Sequence, residues 1–220
     1  MNKLAPLAVV LCALAMAVPA WADSIQPLDL SFSRITDNSA EGAQVNLNLN
    51  LSQAGDNTLL LEFSNLSGIE SVVSEIYFQD LDGLVARYSI LNEQNTGKVY
   101  FEEGASPGNL PGGQDLSFST AFAMQADNPS PKYGISPDET LKVYLELSEG
   151  VGVATLVESL NSQGFRIGAH VQSIAGDASE SFVSTPPGGG AAAPEPATLV
   201  LMGSGLLAGW VYRRRGRKRA

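Results

Sequence analysis

Beyond its first 22 residues this chain has no cysteine. The only one, Cys12, sits in an N-terminal apolar run, so the rest of the chain has no disulfide, thiol nucleophile or thiolate metal site open to it. Basic residues are nearly as scarce in the middle. From Asp23 to Glu195, Arg34, Arg87, Lys98, Lys132, Lys142 and Arg166 stand against all 23 acidic residues, six against 23, a balance of −17. Nucleic acid is bound by neutralising its phosphates with Lys and Arg, so that partner class is excluded. Histidine occurs once, at position 170, and the two tryptophans, Trp21 and Trp210, lie outside the middle. Nothing resembles a Gly-x-Ser-x-Gly elbow, a glycine-rich phosphate loop, a zinc-ligand spacing or a cofactor motif. Apolar packing must hold the middle together, and about 160 residues suffice for one ordinary core.

The two ends are built differently from the middle. Met1-Asn2-Lys3 gives a weakly positive start, Leu4–Ala17 is an apolar run with one proline, and Ala20-Trp21-Ala22 closes it with a small-x-small pattern. That is the layout of a secretory signal peptide over residues 1–22, cut after Ala22 by signal peptidase. The run is too short for a span, which takes about 20 apolar residues. Cys12 does not read as a lipoprotein cysteine, because Leu11 precedes it where a small residue is required.

Residues 23–184 read as an all-β ectodomain. Val45-Asn46-Leu47-Asn48-Leu49-Asn50-Leu51 sends four aliphatics to one face and three asparagines to the other, the pattern of a strand dry on one side and wet on the other. Leu59-Leu61-Phe63 and Leu141-Val143-Leu145-Leu147 repeat it. Further strands are expected at Leu28–Ser33, Val72–Phe78, Leu84–Leu91, Lys98–Phe101, Leu116–Met124, Phe165–Ile174 and Ser181–Ser184, separated by Gly- and Pro-rich turns. One segment has the other period. Val153, Leu156, Val157 and Leu160 fall at i, i+3, i+4 and i+7, which predicts a short helix over Val153–Ser162 stopped by Gly164. Such a set argues for an antiparallel two-sheet sandwich, jelly-roll-like, with one helix laid against it. Residues 185–193, rich in Pro, Gly and Ala, are a linker.

The tail is the most informative stretch. Pro194-Glu195-Pro196 precedes 16 uncharged residues, 197–212, and then the cluster Arg213, Arg214, Arg215, Arg217, Lys218, Arg219. As a helix the uncharged run is roughly 24 Å long against a hydrocarbon core of about 30 Å, a gap that snorkelling arginines close. Trp210 and Tyr212 suit the lipid boundary, and the cations hold that end in the cytoplasm. Short motif, apolar helix and terminal basic cluster together closely resemble the PEP-CTERM sorting signal of Gram-negative bacteria. The resemblance implies transient insertion in the inner membrane and recognition by an exosortase, a membrane peptidase. It further implies removal of the tail and a place at the cell surface or in the matrix alongside exopolysaccharide.

Chemistry in the middle is sparse. His170 alternates with the apolar set of Phe165–Ile174, so it faces outward or into a minor interface. Asp80 and Asp82, in Asp80-Leu81-Asp82-Gly83, are calcium candidates outside any EF-hand, since Phe78 and Ser89 fall where that motif needs ligands. The competing account of the pair is a hairpin turn in which Asp-Gly supplies positive φ. Paired carboxylates for glycoside hydrolysis remain open, as sequence gives no separations. Tyr77, Tyr88, Tyr100, Tyr133 and Tyr144 are the candidate platforms for a sugar. Glu75–Phe78 and Arg166–Ile174, with Ser179–Phe182 beyond, resemble phrases found in small all-β ectodomains that carry this tail, a resemblance that implies no site residues. The expectation is a non-enzymatic, exosortase-sorted surface or matrix protein with a structural or adhesive role and no cofactor. A carbohydrate-binding module is the first alternative and a glycoside hydrolase the second.

Overall fold

A computed structural model describes residues 26–187. The expectations for Ala20, Ala22, the sorting motif Pro194–Pro196, the 197–212 helix and the basic cluster from Arg213 to Arg219 fall outside the described residues. Among the described residues no helix is long and apolar enough to cross a membrane.

The elements are β1 (Leu28–Arg34), β2 (Leu47–Gly55), β3 (Thr58–Asn65), β4 (Val72–Asp80), β5 (Val85–Ile90) and β6 (Phe101–Glu103). They continue with β7 (Phe122–Ala126), β8 (Thr140–Leu147), α1 (Val153–Ser162), β9 (Phe165–Ile174) and β10 (Ala178–Ser184). Alternation does what it predicts. Leu47, Leu49 and Leu51 of β2 are buried while Asn48 and Asn50 face solvent, and β3 and β8 follow suit.

The two-sheet sandwich needs correcting. The strands form one antiparallel ten-stranded sheet, nearly barrel-shaped, in the order β5-β8-β3-β2-β1-β10-β9-β4-β7-β6. The join is β1. Its first half, Leu28–Ser31, pairs with β2, and its second half, Phe32–Arg34, pairs with β10. One strand thus serves both layers, as strands that turn a corner between packed sheets do. Side-chain alternation runs unbroken through such a corner, so it cannot separate two sheets from one folded sheet.

The layers meet over an apolar core in which Phe63 sets its edge against Phe78, centroids 6.3 Å apart, and Phe78 stacks on Phe122 at 4.5 Å. Helix α1 buries Val153, Leu156 and Leu160. The left-handed residue ending it is Gln163, φ 64°, one before the expected glycine. Gly164 answers a different need: a Cβ there would lie 2.6 Å from Asp82 Oδ2 and Ser159 Oγ.

The sheet's two edges, β5 and β6, approach each other without a backbone ladder, and side chains close the gap. Asn92, just beyond β5, accepts from Phe101 N–H at 3.0 Å and donates to Phe101 C=O at 2.9 Å, imitating a strand neighbour. Tyr88 stacks on Phe122 at 5.0 Å and donates its hydroxyl to Ala123 C=O at 2.9 Å. The chain enters and leaves the fold at one end, because β1 and β10 are antiparallel neighbours; Thr185 N–H still bonds Ser31 C=O at 2.9 Å.

Candidate functional site

The second layer, β1-β10-β9-β4-β7-β6, turns one face away from the core. Register lines up Ser181 of β10, His170 of β9, Glu75 of β4, Gln125 of β7 and Glu102 of β6 in a single row across that face. The adjacent row holds Val183, Gly168, Tyr77 and Ala123, and the next holds Arg166 beside Gln79. Residues 104–121, which link β6 to β7, cross the middle row as a strap. Its Leu110 and Phe118 form a small apolar cluster with Tyr77, Ala123 and Val183. The lack of a side chain at Gly168 makes the seat for Leu110, since a Cβ there would meet Leu110 Cδ2 at 2.6 Å.

The strap is fastened along both flanks. Tyr77 donates to Pro107 C=O at 3.0 Å, and Ser106 N–H donates to Gln125 Oε1 at 3.0 Å. On the far side Arg166 Nη2 donates to Gln79 Oε1 at 2.7 Å and to the carbonyls of Leu116 and Ser117, with the guanidinium over the Phe118 ring. Burial raises the Tyr77 hydroxyl above the usual phenol range, and the neighbouring Glu75 charge adds to this.

His170 faces outward from the barrel, as its alternation requires, yet stands largely enclosed, its side chain 14% exposed. Nδ1 lies 2.7 Å from Glu75 Oε2, which also accepts the Ser74 hydroxyl at 2.6 Å. A carboxylate offers only acceptors, so Nδ1 is the donor in this contact. The β-bulge between Val73 and Glu75 makes room for both Ser74 and Glu75 opposite His170. Opposite on β10, the Ser181 hydroxyl is buried and has no partner. Acid, imidazole and serine therefore stand on adjacent strands, but the serine oxygen is shut from solvent and does not bond the ring. The triad order is present without an accessible nucleophile.

Sequence reasoning found His170 and missed Glu75 and Ser181, because the pairings are made by strand register and the acid lies 95 positions from the histidine. The resembling phrases, Glu75–Phe78, Arg166–Ile174 and Ser179–Phe182, lie on three neighbouring strands.

Asp80 and Asp82 serve the turn after β4. Asp80 accepts from Leu84 N–H at 2.9 Å and Val85 N–H at 3.0 Å, and Gly83 takes φ +66°. Asp82 accepts from the Ser159 hydroxyl at 2.8 Å. Among the described residues no group of three or more His, Cys, Asp or Glu is placed to hold a metal ion. Glu180, fully buried, is a structural acid: it accepts from Asn38 N–H and Ser39 N–H, both at 2.7 Å, and from the Thr36 hydroxyl at 2.5 Å. The tyrosines do not make one platform. Tyr77 is buried, Tyr88 is stacked on Phe122, Lys132 Nζ lies 5.0 Å from the Tyr133 ring centre, and Tyr144 is half-buried on the other layer. Tyr100 alone among them is openly exposed, at 48%.

Comparison with known proteins bears on the tail. No curated protein and no solved structure matches the chain. The family model described as the PEP-CTERM protein-sorting motif matches residues 192–215. That span contains Pro194-Glu195-Pro196, the uncharged run and the first three arginines of the basic cluster. This chain carries a PEP-CTERM protein-sorting motif, the signature of exosortase processing.

Proposed function

We propose that the protein is exported, cut by an exosortase at the tail and delivered to the cell surface or matrix, where the barrel acts as a non-enzymatic structural or adhesive element. The observation that carries this reading is the sorting motif at 192–215. The fold supports it in a secondary way. The barrel interior is filled by apolar side chains: Leu49, Leu51, Leu59, Leu61, Ile76 and Phe78 are fully buried in one core. The carboxylates of Asp80 and Glu180 are tied into backbone contacts rather than facing a cleft. The direct experiment is intact mass of the mature protein from cells with and without the exosortase. The expected result is a chain shortened near residue 194 only when the enzyme is present. An identical, unshortened C-terminus in both strains overturns the sorting reading.

A second reading, binding of the polysaccharide at that surface, is favoured by the row of polar side chains on the outer face of β10, β9, β4, β7 and β6. Retention of the protein on cell-surface polysaccharide, with elution by soluble polysaccharide, is its test.

A further inference from the structure

We infer that the end of the barrel from which the tail departs rests on the lipid bilayer while the tail is in place, with Leu81 and Leu116 as its points of contact. This builds on the sorting reading and adds a surface and a partner to it. Strand direction defines that end. There β10 and β4 finish and β9 and β1 start, and the chain leaves beside Ile167, whose N–H donates to Ser184 Oγ at 3.0 Å.

Four large hydrophobic residues stand open to solvent among the described residues: Leu66, Leu81, Tyr100 and Leu116. Leu81 is the most exposed of them at 63%, and Leu116 is 44% exposed. Both are pinned to the first residues of β9, next to the point of departure. Leu81 N–H donates to Gly164 C=O at 3.1 Å, and Leu116 C=O accepts from Arg166 Nη2 at 3.1 Å. Leu81 follows β4, two strands from β10, so it lies roughly 10 Å from where the chain leaves. Leu66 follows β3 and Tyr100 precedes β6, which puts that pair at the opposite end.

What covers Leu81 and Leu116 follows from the chain beyond Pro187. Ten residues lead from Pro187 to Ala197, where the uncharged run begins. A glycine-rich chain of that length spans about 17 Å on average and about 35 Å at most. No charge lies between Ser184 and Glu195 to hold it off a surface. A tail held in the membrane therefore presents this end of the barrel to lipid, at an effective concentration on the order of millimolar. Apolar side chains in that position enter the boundary between headgroups and acyl chains.

Charge confines the contact to the tethered state. Asp82 and Asp115, both exposed, adjoin the two leucines in sequence, and Asp56 and Glu149 are exposed in loops at the same end. Arg166 spends its Nη2 on Gln79, Leu116 and Ser117. An anionic leaflet repels such a surface. Two leucines set among carboxylates hold only while the tail keeps them close, so cutting the tail also frees the barrel from lipid.

The scarcity of cysteine makes the test clean. Protein that keeps its tail is purified from membranes of cells lacking the exosortase. It carries Cys12→Ser and Trp21→Phe, with a nitroxide on one of Leu81→Cys, Leu116→Cys, Leu66→Cys or Tyr100→Cys. In phosphatidylcholine vesicles, electron paramagnetic resonance reads collisions of the label with lipid-enriched oxygen and with a water-soluble nickel complex. Trp210 emission reports tail insertion. The expected result is that labels at 81 and 116 lose about half or more of their nickel collisions and gain oxygen collisions, while labels at 66 and 100 do not change. Adding an equal part of phosphatidylglycerol weakens the effect. Inserting about 30 Gly and Ser residues after Pro187 makes the spacer about four times longer, lowers the effective concentration about eightfold, and weakens the effect likewise. A blue-shifted Trp210 with unchanged labels at 81 and 116 overturns the contact and keeps the sorting reading. An unshifted Trp210 removes tail insertion and the contact with it. Equal protection at all four sites, or at 66 and 100 alone, overturns the choice of end. Protection at 81 and 116 that appears in detergent and grows with protein concentration assigns them to a second copy, and protection only in membranes containing the exosortase assigns them to that enzyme. Either result overturns lipid as the occupant.

Discussion

Replacing Asn92 tests whether side chains close the barrel. Asn92 gives and takes a hydrogen bond with the same residue, Phe101, at 2.9 and 3.0 Å, and its Oδ1 also accepts from Asn95 at 3.2 Å. Phe101 is 1% exposed, so water does not replace what is lost. Removing a partner costs about 1 kcal/mol per net bond, and more when the remaining group stays buried and unpaired. Asn92→Ala therefore costs about 2–4 kcal/mol, equivalent to a fall in Tm of roughly 5–15 °C for a domain of this size. Asn92→Asp sharpens the test. At neutral pH its second oxygen faces the Phe101 carbonyl, acceptor against acceptor, so the loss is at least as large. Protonation below the ordinary aspartate range of about 3.9 restores a donor, so the deficit relative to wild type shrinks on acidification. Thermal denaturation by circular dichroism gives the cost, and amide exchange at Phe101 gives the location. A loss under about 0.5 kcal/mol for Asn92→Ala, or unchanged exchange at Phe101, refutes the side-chain seam.

The remaining predictions concern the loops and the strap. Glu180→Ala leaves the donors of Thr36, Asn38 and Ser39 without their acceptor and costs about 3–5 kcal/mol, while Glu180→Gln costs less; chemical denaturation ranks them, and equal costs would contradict the account. Gly168→Val drives Leu110 from its seat, so limited proteolysis cuts within 104–121 before the barrel melts; protection equal to wild type would show that the strap is held elsewhere. Tyr77 and Tyr88 both hold their protons more tightly folded than unfolded, chiefly through burial. The stability they contribute is complete below pH about 10 and lost as pH rises beyond it, so Tyr77→Phe flattens the alkaline limb of the stability curve. An unchanged limb in that variant refutes the assignment.

The sequence was most legible where one period ran uninterrupted. Helix α1 has the bounds its apolar spacing predicts, and β9 runs from Phe165 to Ile174 as its alternation does. Legibility failed where alternation had another cause. Leu116, Phe118, Phe122 and Met124 read as one strand, yet Gly113–Leu116 is a 3-10 turn, Ser117 is left-handed at φ 51°, and the strand starts only at Phe122. Phe118 is apolar because it lies under Arg166 on the outer face, not because it joins the core. The Lys98–Phe101 strand likewise shifts to Phe101–Glu103, since Val99 N–H is taken by Thr96 C=O in a turn. The candidate site was half visible. A lone histidine on an alternating strand can be read directly, but the serine beside it is set by the bulged register of a hairpin partner and the acid by a bulged register across 95 positions.

Because Thr185 is stitched to Ser31, the folded body ends firmly before the tail begins. From Pro187 to Pro194 is seven residues, a reach of at most about 25 Å when fully extended. The body itself is roughly 40 Å across for this many residues. The leash is shorter than the load, so the motif lies within about 25 Å of Pro187 and a peptidase that reads it works close to the barrel. No described strand pairs with anything beyond Pro187, so a cut beyond that point leaves every described strand pairing in place.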